Sequence, residues 1–400
     1  MSAAATTARR TDLDLLRIAV CFAVILAHAL LIFAEEPRYH VKAAEAWWPA
    51  TLGYEAMRIA TLAIFFVLAG WSAVASLRRR AAGRYLQDRV ARVLVPLFAG
   101  ILLLGPVIKW IELQQGRDLR IGGFRLVPPP DYGFLEFLPR YLTRLNLMTW
   151  SHLWFLAYLF LISVALLPLL LWLARRPPGA AVWPRLPGRA LAYAPALGLG
   201  LLLAAGGGYW PFLPNLVQDW PNLGYFAALF ALGGVLCAWP GLETRLRAEA
   251  WGLLALALVG LALVALAGPG IWGRLGVGAC AWGSVGAALG FAGRHPPRQS
   301  ALLAWLGEAT MPVYVLHHVP VLALGVLVLP LGWSPAGAVL AITVGATLAS
   351  VLAYRLLVWP WGVPRWLVGM GPRTPSSAPS VFKVAEAMSI GPIHPQRSET

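Results

Sequence analysis

Charge is what this 400-residue chain has least of: 12% of its residues are Asp, Glu, Lys or Arg, about half the roughly 25% of a soluble domain. With 59% hydrophobic residues and a mean hydropathy of +0.69, too few polar groups remain to cover a water-facing surface. A soluble globular enzyme is excluded, and so is a disordered chain. Cysteine is nearly absent. Cys21, Cys237 and Cys280 lie in apolar runs without metal or redox spacing and read as packed thiols. No internal repeat, Walker loop, dinucleotide-binding glycine motif or metal-spaced Cys/His cluster occurs, so no metal and no bound cofactor is expected. Acidic residues are scarce too, 17 against 32 Lys and Arg, for a net charge of +15. The basic residues sit mostly between apolar runs, the positive-inside pattern of a membrane protein rather than a nucleic-acid-binding surface.

A bilayer core about 30 Å thick takes about 20 apolar helical residues. That ruler marks ten spans: Leu13–Ala34, Ala56–Leu77, Val93–Leu113, Leu153–Ala174, Ala190–Gly206, Gly224–Trp239, Ala250–Gly268, Ile271–Ala292, Ala301–Leu329 and Ala336–Val358. The first run, about 22 residues, exceeds the 7–15 of a signal-peptide core and reads as a retained helix. The expected architecture is all-α, a polytopic bundle of about ten transmembrane helices. Residues 1–12 would be a cytoplasmic segment, 13–360 the membrane domain and 361–400 a cytoplasmic tail. From Gly371 onward that tail is rich in Pro, Ser and Thr and is expected to be disordered. With the N-terminus inside, cytoplasmic segments carry about twice the Lys and Arg of outside ones, which favours both termini on the cytoplasmic face. Arg78, Arg79, Arg80, Arg84, Arg89 and Arg92 crowd one such loop. The outside segments 35–55, 114–150 and Tyr209–Asn222 mix aromatics with polar groups. They suit either interfacial aromatic belts or stacking on the CH faces of a sugar.

Ionisable groups inside spans cost several kcal/mol and so need a reason. Arg17 and His28 are eleven residues apart, which is about 16 Å of rise and within about 20° of one helix face. Arg17 either snorkels to headgroups or begins a polar seam that His28 continues. Arg89 and Arg92, at i and i+3, offer guanidinium forks to phosphate oxygens; lipid headgroups and a nucleotide-bearing thioester fit equally. His152 and Trp154 open the fourth span as interfacial anchors or site residues. Pro312 and Pro320 break the ninth span, as helices lining cavities often are. Adjacent His317 and His318, about 100° apart on a regular helix, are not expected to face one site, and a zinc centre is not expected there. Glu35 and Glu36 form a solvated turn or orient the His28 ring.

These residues resemble the membrane acyltransferase-3 family. The resemblance rests on Asp14-Leu-Leu-Arg17 with His28 eleven residues further on, Phe65-Phe-Val-Leu-Ala-Gly70, Arg89-Val-Ala-Arg92, His152-Leu-Trp-Phe-Leu156 and Tyr314-Val-Leu-His-His-Val-Pro320. It covers roughly residues 12–360. Within the family the chain looks most like the glucans biosynthesis protein C group, linked to succinylation of periplasmic glucans, through His40-Val with Ala44-Glu45, His152-Leu-Trp-Phe-Leu156 and the His317-His318 pair. Ala27 and Ala69 stand where many relatives carry Gly and Ser, small-for-small changes. The resemblance implies a multi-pass bacterial inner-membrane enzyme that takes acyl-CoA as donor and an extracytoplasmic glycan as acceptor. It implies His28 as general base and Arg17, Arg89 and Arg92 as donor-binding residues. Glu35, Glu36, His152, Trp154 and His317 are candidates for the acceptor side. The alternative is a transporter or flippase using Arg17 and His28 as a charge relay; the missing internal pseudo-symmetry counts against it.

Overall fold

A computed structural model describes residues 10–120, 123–177, 188–206, 215–216 and 218–371. The chain opens with α1 (Thr11–Phe33) and α2 (Trp48–Leu77), then α3 (Ala82–Arg89), a π-helical turn at Val90–Leu94, α4 (Val95–Leu103) and α5 (Gly105–Gln114). A β-hairpin of β1 (Arg117–Arg120) and β2 (Gly123–Leu126) precedes α6 (Phe134–Thr143). Next come α7 (Trp154–Ala165), α8 (Leu167–Arg175), α9 (Gly188–Ala205), α10 (Trp220–Ala238) and α11 (Pro240–Ala248). The chain continues through α12 (Ala250–Ala267), α13 (Ile271–Arg294), α14 (Ala301–Leu316), α15 (His318–Val328), α16 (Pro335–Ala353) and α17 (Gly362–Leu367).

Among the described residues, six helices are long and apolar enough to cross a membrane: α1, α2, α10, α12, α13 and α16 with its π-helical extension to Val358. Three further candidates are bent pairs: Ala82–Leu103 with α5 (43°), Ser151–Ala165 with α8 (61°), and α14 with His318–Leu331 (59°). Counting each pair as one crossing gives up to nine among the described residues, against the ten expected; α9 falls short of the length. Proline explains the bends. Pro106, Pro168 and Pro320 sit two or three residues into α5, α8 and α15. Each lacks the N–H that would bond four residues back, and its ring crowds that carbonyl. For Pro320 the carbonyl is that of Leu316, the last residue of α14. Pro312, by contrast, is accommodated inside α14.

Packing within the bundle relies on small residues, as in membranes generally. At the crossing of α2 and α10, a Cβ on Gly70 would lie 1.8 Å from the Phe230 carbonyl oxygen, and one on Gly233 would lie 2.0 Å from that of Val67. The backbones touch there, and only glycine allows it. The three cysteines are free and buried, as their apolar setting implied.

The loops are more structured than an all-α reading allows. Residues 117–126 pair antiparallel from Arg117↔Leu126 to Arg120↔Gly123, and α6 covers Trp110 with Phe137. The segment after α1 folds back over that helix's end. Ala43 N donates to Ile32 O (2.9 Å) and Trp47 N to Phe33 O (2.7 Å). Lys42 Nζ donates to Leu31 O (2.8 Å) and to Ala34 O, satisfying carbonyls that a helix end leaves open. Burial, with Arg117 nearby, pushes the Lys42 amine down to about 8. Towards the C-terminus, the short α17 packs against the bundle. Arg365 on α17 is buried and donates to Glu308 at 3.0 Å. The remainder of the expected tail, residues 372–400, lies outside the described residues, as do 209–214 of the aromatic segment.

Candidate active site

Five of the chain's 7 histidines converge on one place. His28 comes from α1, His40 from the folded-back segment, His152 from the turn entering α7, and His317 and His318 from the break between α14 and α15. The His28 ring centroid lies 4.7 Å from that of His318, 5.1 Å from His317 and 6.4 Å from His152. His152 stacks on His318 at 4.7 Å, and His40 stands 5.2 Å from His318. The expectation for His317 and His318 fails because the step of about 100° in a regular helix does not hold across the break at Pro320. With α15 turned 59° from α14, both rings face His28.

The hydrogen bonds assign tautomers. His28 Nδ1 faces the Val24 carbonyl at 2.8 Å, so it carries the proton and Nε2 keeps its lone pair. His317 Nδ1 likewise donates to Tyr314 O at 2.7 Å, leaving Nε2 as an acceptor 3.4 Å from His28 Nδ1. His152 Nε2 donates to Val315 O at 3.1 Å. Neither ring nitrogen of His318 has a hydrogen-bond partner among the described residues, nor have His152 Nδ1 and the Tyr39 hydroxyl. Buried polar atoms of this kind normally find partners. His28, His317 and His318 each offer a ligand nitrogen within 4.8 Å of the others, a group able to hold a metal ion.

The rings open onto a cavity of about 150 Å³ lined by His28, His40, His152, His318, Tyr39 and Tyr54 together with Arg58, Arg120, Ser151 and Trp154. Behind its wall, reached through the lining residues His40 and Ser151, runs a chain of buried polar groups. Glu112 on α5 is fully buried. It accepts from Lys109 Nζ (2.5 Å), Leu119 N (2.6 Å) and the Nδ1 of His40. Lys109, also fully buried, donates further to Asp118 (2.6 Å) and to Leu119 O (2.7 Å). Burial raises the Asp118 carboxyl, but Lys109 and Arg120 more than offset it, and its pKa stays below the usual 3.8. His40 Nε2 meets Ser151 Oγ at 3.0 Å.

Other expected site residues lie elsewhere. Arg17 binds Asp14 (2.9 Å) and Ser72 of α2 (2.7 Å) and does not line the cavity. Arg89 stacks over Tyr85 at 5.0 Å, and Arg92 is exposed beyond it in the π-helical turn. Glu36 is engaged by Arg38, while Glu35 is exposed, and neither reaches the cavity. The sequence reading missed Arg58, Ser151, Lys109 and Glu112 as site residues. Arg58 is buried on α2 beside Glu55, with which it forms an i,i+3 ion pair. A legible signal was Lys109 with Glu112 one turn on, at the end of an apolar helix.

A family model described as an acyltransferase domain, that of the acyltransferase-3 family, matches residues 10–355. No curated protein and no solved structure matches the chain.

Proposed function

The chain belongs to the acyltransferase-3 family and is a multi-pass membrane acyltransferase; from that premise we propose that it moves a succinyl or acetyl group from acyl-CoA to a hydroxyl of a periplasmic glucan or other envelope glycan. The observation that carries this reading is the His28 ring at a polar, histidine-lined cavity, with Nδ1 fixed on Val24 O and Nε2 left basic. The acceptor hydroxyl gives its proton to Nε2 as its oxygen attacks the acyl carbonyl carbon. Over the whole reaction the donor's C–S bond breaks, and the thiolate takes up a proton and leaves as CoA thiol. Tyr39, Tyr54 and Trp154 provide the ring faces on which sugar CH groups stack, and Arg58 and Arg120 provide donors to its oxygens.

The donor's phosphates are assigned to the other end of the bundle. Arg17 lies eleven residues before His28 on α1, about 16 Å along the axis, and its contact with Ser72 puts it beside the end of α2 that leads to Arg89 and Arg92. That end is taken as cytoplasmic on the basic-residue bias, in a bacterial inner membrane. Counting α9 as a tenth crossing keeps both termini there. The closer likeness to the glucans biosynthesis protein C group, through His40 and the His317-His318 pair, favours a succinyl donor and a glucan acceptor.

The test is release of free CoA from acetyl-CoA and from succinyl-CoA by the purified full chain in liposomes supplied with periplasmic glucan. His28→Ala is expected to lower release about 10²–10⁴-fold, the usual contribution of a general base. Equal release by the intact protein and His28→Ala would overturn the assignment.

A further inference from the structure

We infer that Ser151, His40 and Glu112 form a nucleophilic triad in the cavity wall, and that the acyl group passes through an ester on Ser151 before it reaches the acceptor. The inference rests on the donor reading above for its substrate, though not for its geometry. Ser151 Oγ lies 3.0 Å from His40 Nε2, within the reach expected of a nucleophile and its base. The other nitrogen of that ring faces the Glu112 carboxylate, so Nδ1 carries the proton and Nε2 is left to accept one. Glu112 is held in turn by Lys109 Nζ at 2.5 Å and Leu119 N at 2.6 Å. A nucleophile, a base and a buried group orienting the base are thus present in order, and triads are recognised by such roles rather than by sequence position.

The backbone points the same way. Ser151, with φ 43°, is the only non-glycine residue with positive φ among the described residues. Conformations of this kind concentrate at functional sites. Ser151 also begins the helical segment entering α7, with its N–H bonded to Thr149 Oγ1 at 3.1 Å. A serine on a strained turn leading into a helix is how the unrelated α/β-hydrolases expose their nucleophile. Ser151 and His40 both line the cavity that holds His28, so an acyl group on Ser151 lies in the space where the acceptor meets His28.

The steps balance. Ser151 gives its proton to His40 Nε2 while Oγ bonds to the thioester carbonyl carbon. The C–S bond breaks, and the thiolate takes that proton to leave as CoA thiol. The acceptor hydroxyl then gives its proton to His28 as its oxygen attacks the Ser151 ester. The bond between Ser151 Oγ and the acyl carbon breaks, and the serine oxygen takes up the proton that His28 accepted, restoring both groups. Glu112 touches neither reactant and is a positioning residue, acting through His40.

The test uses the full chain in liposomes and a small fluorophosphonate. This probe is captured when an activated serine oxygen attacks phosphorus and fluoride leaves; it needs neither donor nor glycan. Peptide mapping is expected to find the adduct on Ser151, with none in Ser151→Ala. His40→Gln is expected to slow labelling about 10²–10⁴-fold. Glu112→Gln is expected to lower the labelling rate at saturating probe while leaving the half-saturating concentration unchanged, a split that general loosening of the fold would not give. An unlabelled Ser151, or equal labelling rates for the intact protein and His40→Gln, overturns the triad. CoA release with no labelling at Ser151 would remove the triad and leave the acyltransferase reading standing. Labelling without CoA release would keep the triad and remove acyl-CoA as donor.

Discussion

Replacing Lys109 with Met gives the sharpest test of the buried polar wall. Lys109 has no solvent exposure, and its ammonium meets two carboxylates and a carbonyl: Glu112 at 2.5 Å, Asp118 at 2.6 Å and Leu119 O at 2.7 Å. A buried cation with three partners is using all three of its donors. Methionine matches the stem in volume but leaves two carboxylates with like charge and no shared counter-ion. Asp118 keeps Arg120 at 2.7 Å, which is partly exposed, while fully buried Glu112 keeps only Leu119 N and His40. Breaking a buried pair by removing one partner costs about 3–5 kcal/mol, so the loss belongs in that range. Adding Asp118→Asn removes one of the orphaned charges and should recover part of it. Equilibrium unfolding of the detergent-solubilised protein measures both effects. A Lys109→Met variant within about 1 kcal/mol of the parent, or a double variant worse than the sum of the singles, would refute the argument that this cluster fastens the hairpin to α5 and holds the Glu112 carboxylate in place.

Gly70→Val should separate α2 from α10, because a Cβ there would lie 1.8 Å from the Phe230 carbonyl oxygen; a loss of about 1–3 kcal/mol or more in the same unfolding assay is the expected result. The pH dependence follows from Asp118, whose pKa is lower in the folded chain than the usual 3.8. The stability it lends is present above 3.8 and is lost as pH falls through the folded value. Hydrogen exchange of the hairpin amides should therefore accelerate in strong acid, and Asp118→Asn should lose that dependence. Arg92→Ala should mainly raise the apparent KM for acyl-CoA with little change in kcat, as expected when uniform binding is lost; initial rates against donor concentration check it.

The apolar runs located the helices well, because burial in lipid demands nearly continuous hydrophobicity. They did not locate the breaks: the expected spans Val93–Leu113 and Leu153–Ala174 run without interruption through Pro106 and Pro168. Pro320 was noted as a break, but its consequence for His317 and His318 needed the 59° bend, which no helical wheel contains. His28 was legible as an ionisable group inside a span. Ser151, His40 and Glu112 were not legible as a unit, since 111 positions separate Ser151 from His40 and 72 separate Glu112 from His40. Only the fold-back secured by Lys42, and the hairpin after α5, bring them together. The strands within the outside segment 114–150 carry no legible alternation because they are only four residues each.

The central claim is that this protein acylates an extracytoplasmic glycan through His28. The most direct measurement is mass spectrometry of periplasmic glucans and other envelope glycans from cells carrying the intact protein or His28→Ala at matched expression. An acyl increment found only with the intact protein is the predicted result, and its mass would identify the group transferred. Identical glycans in the two samples would contradict the account.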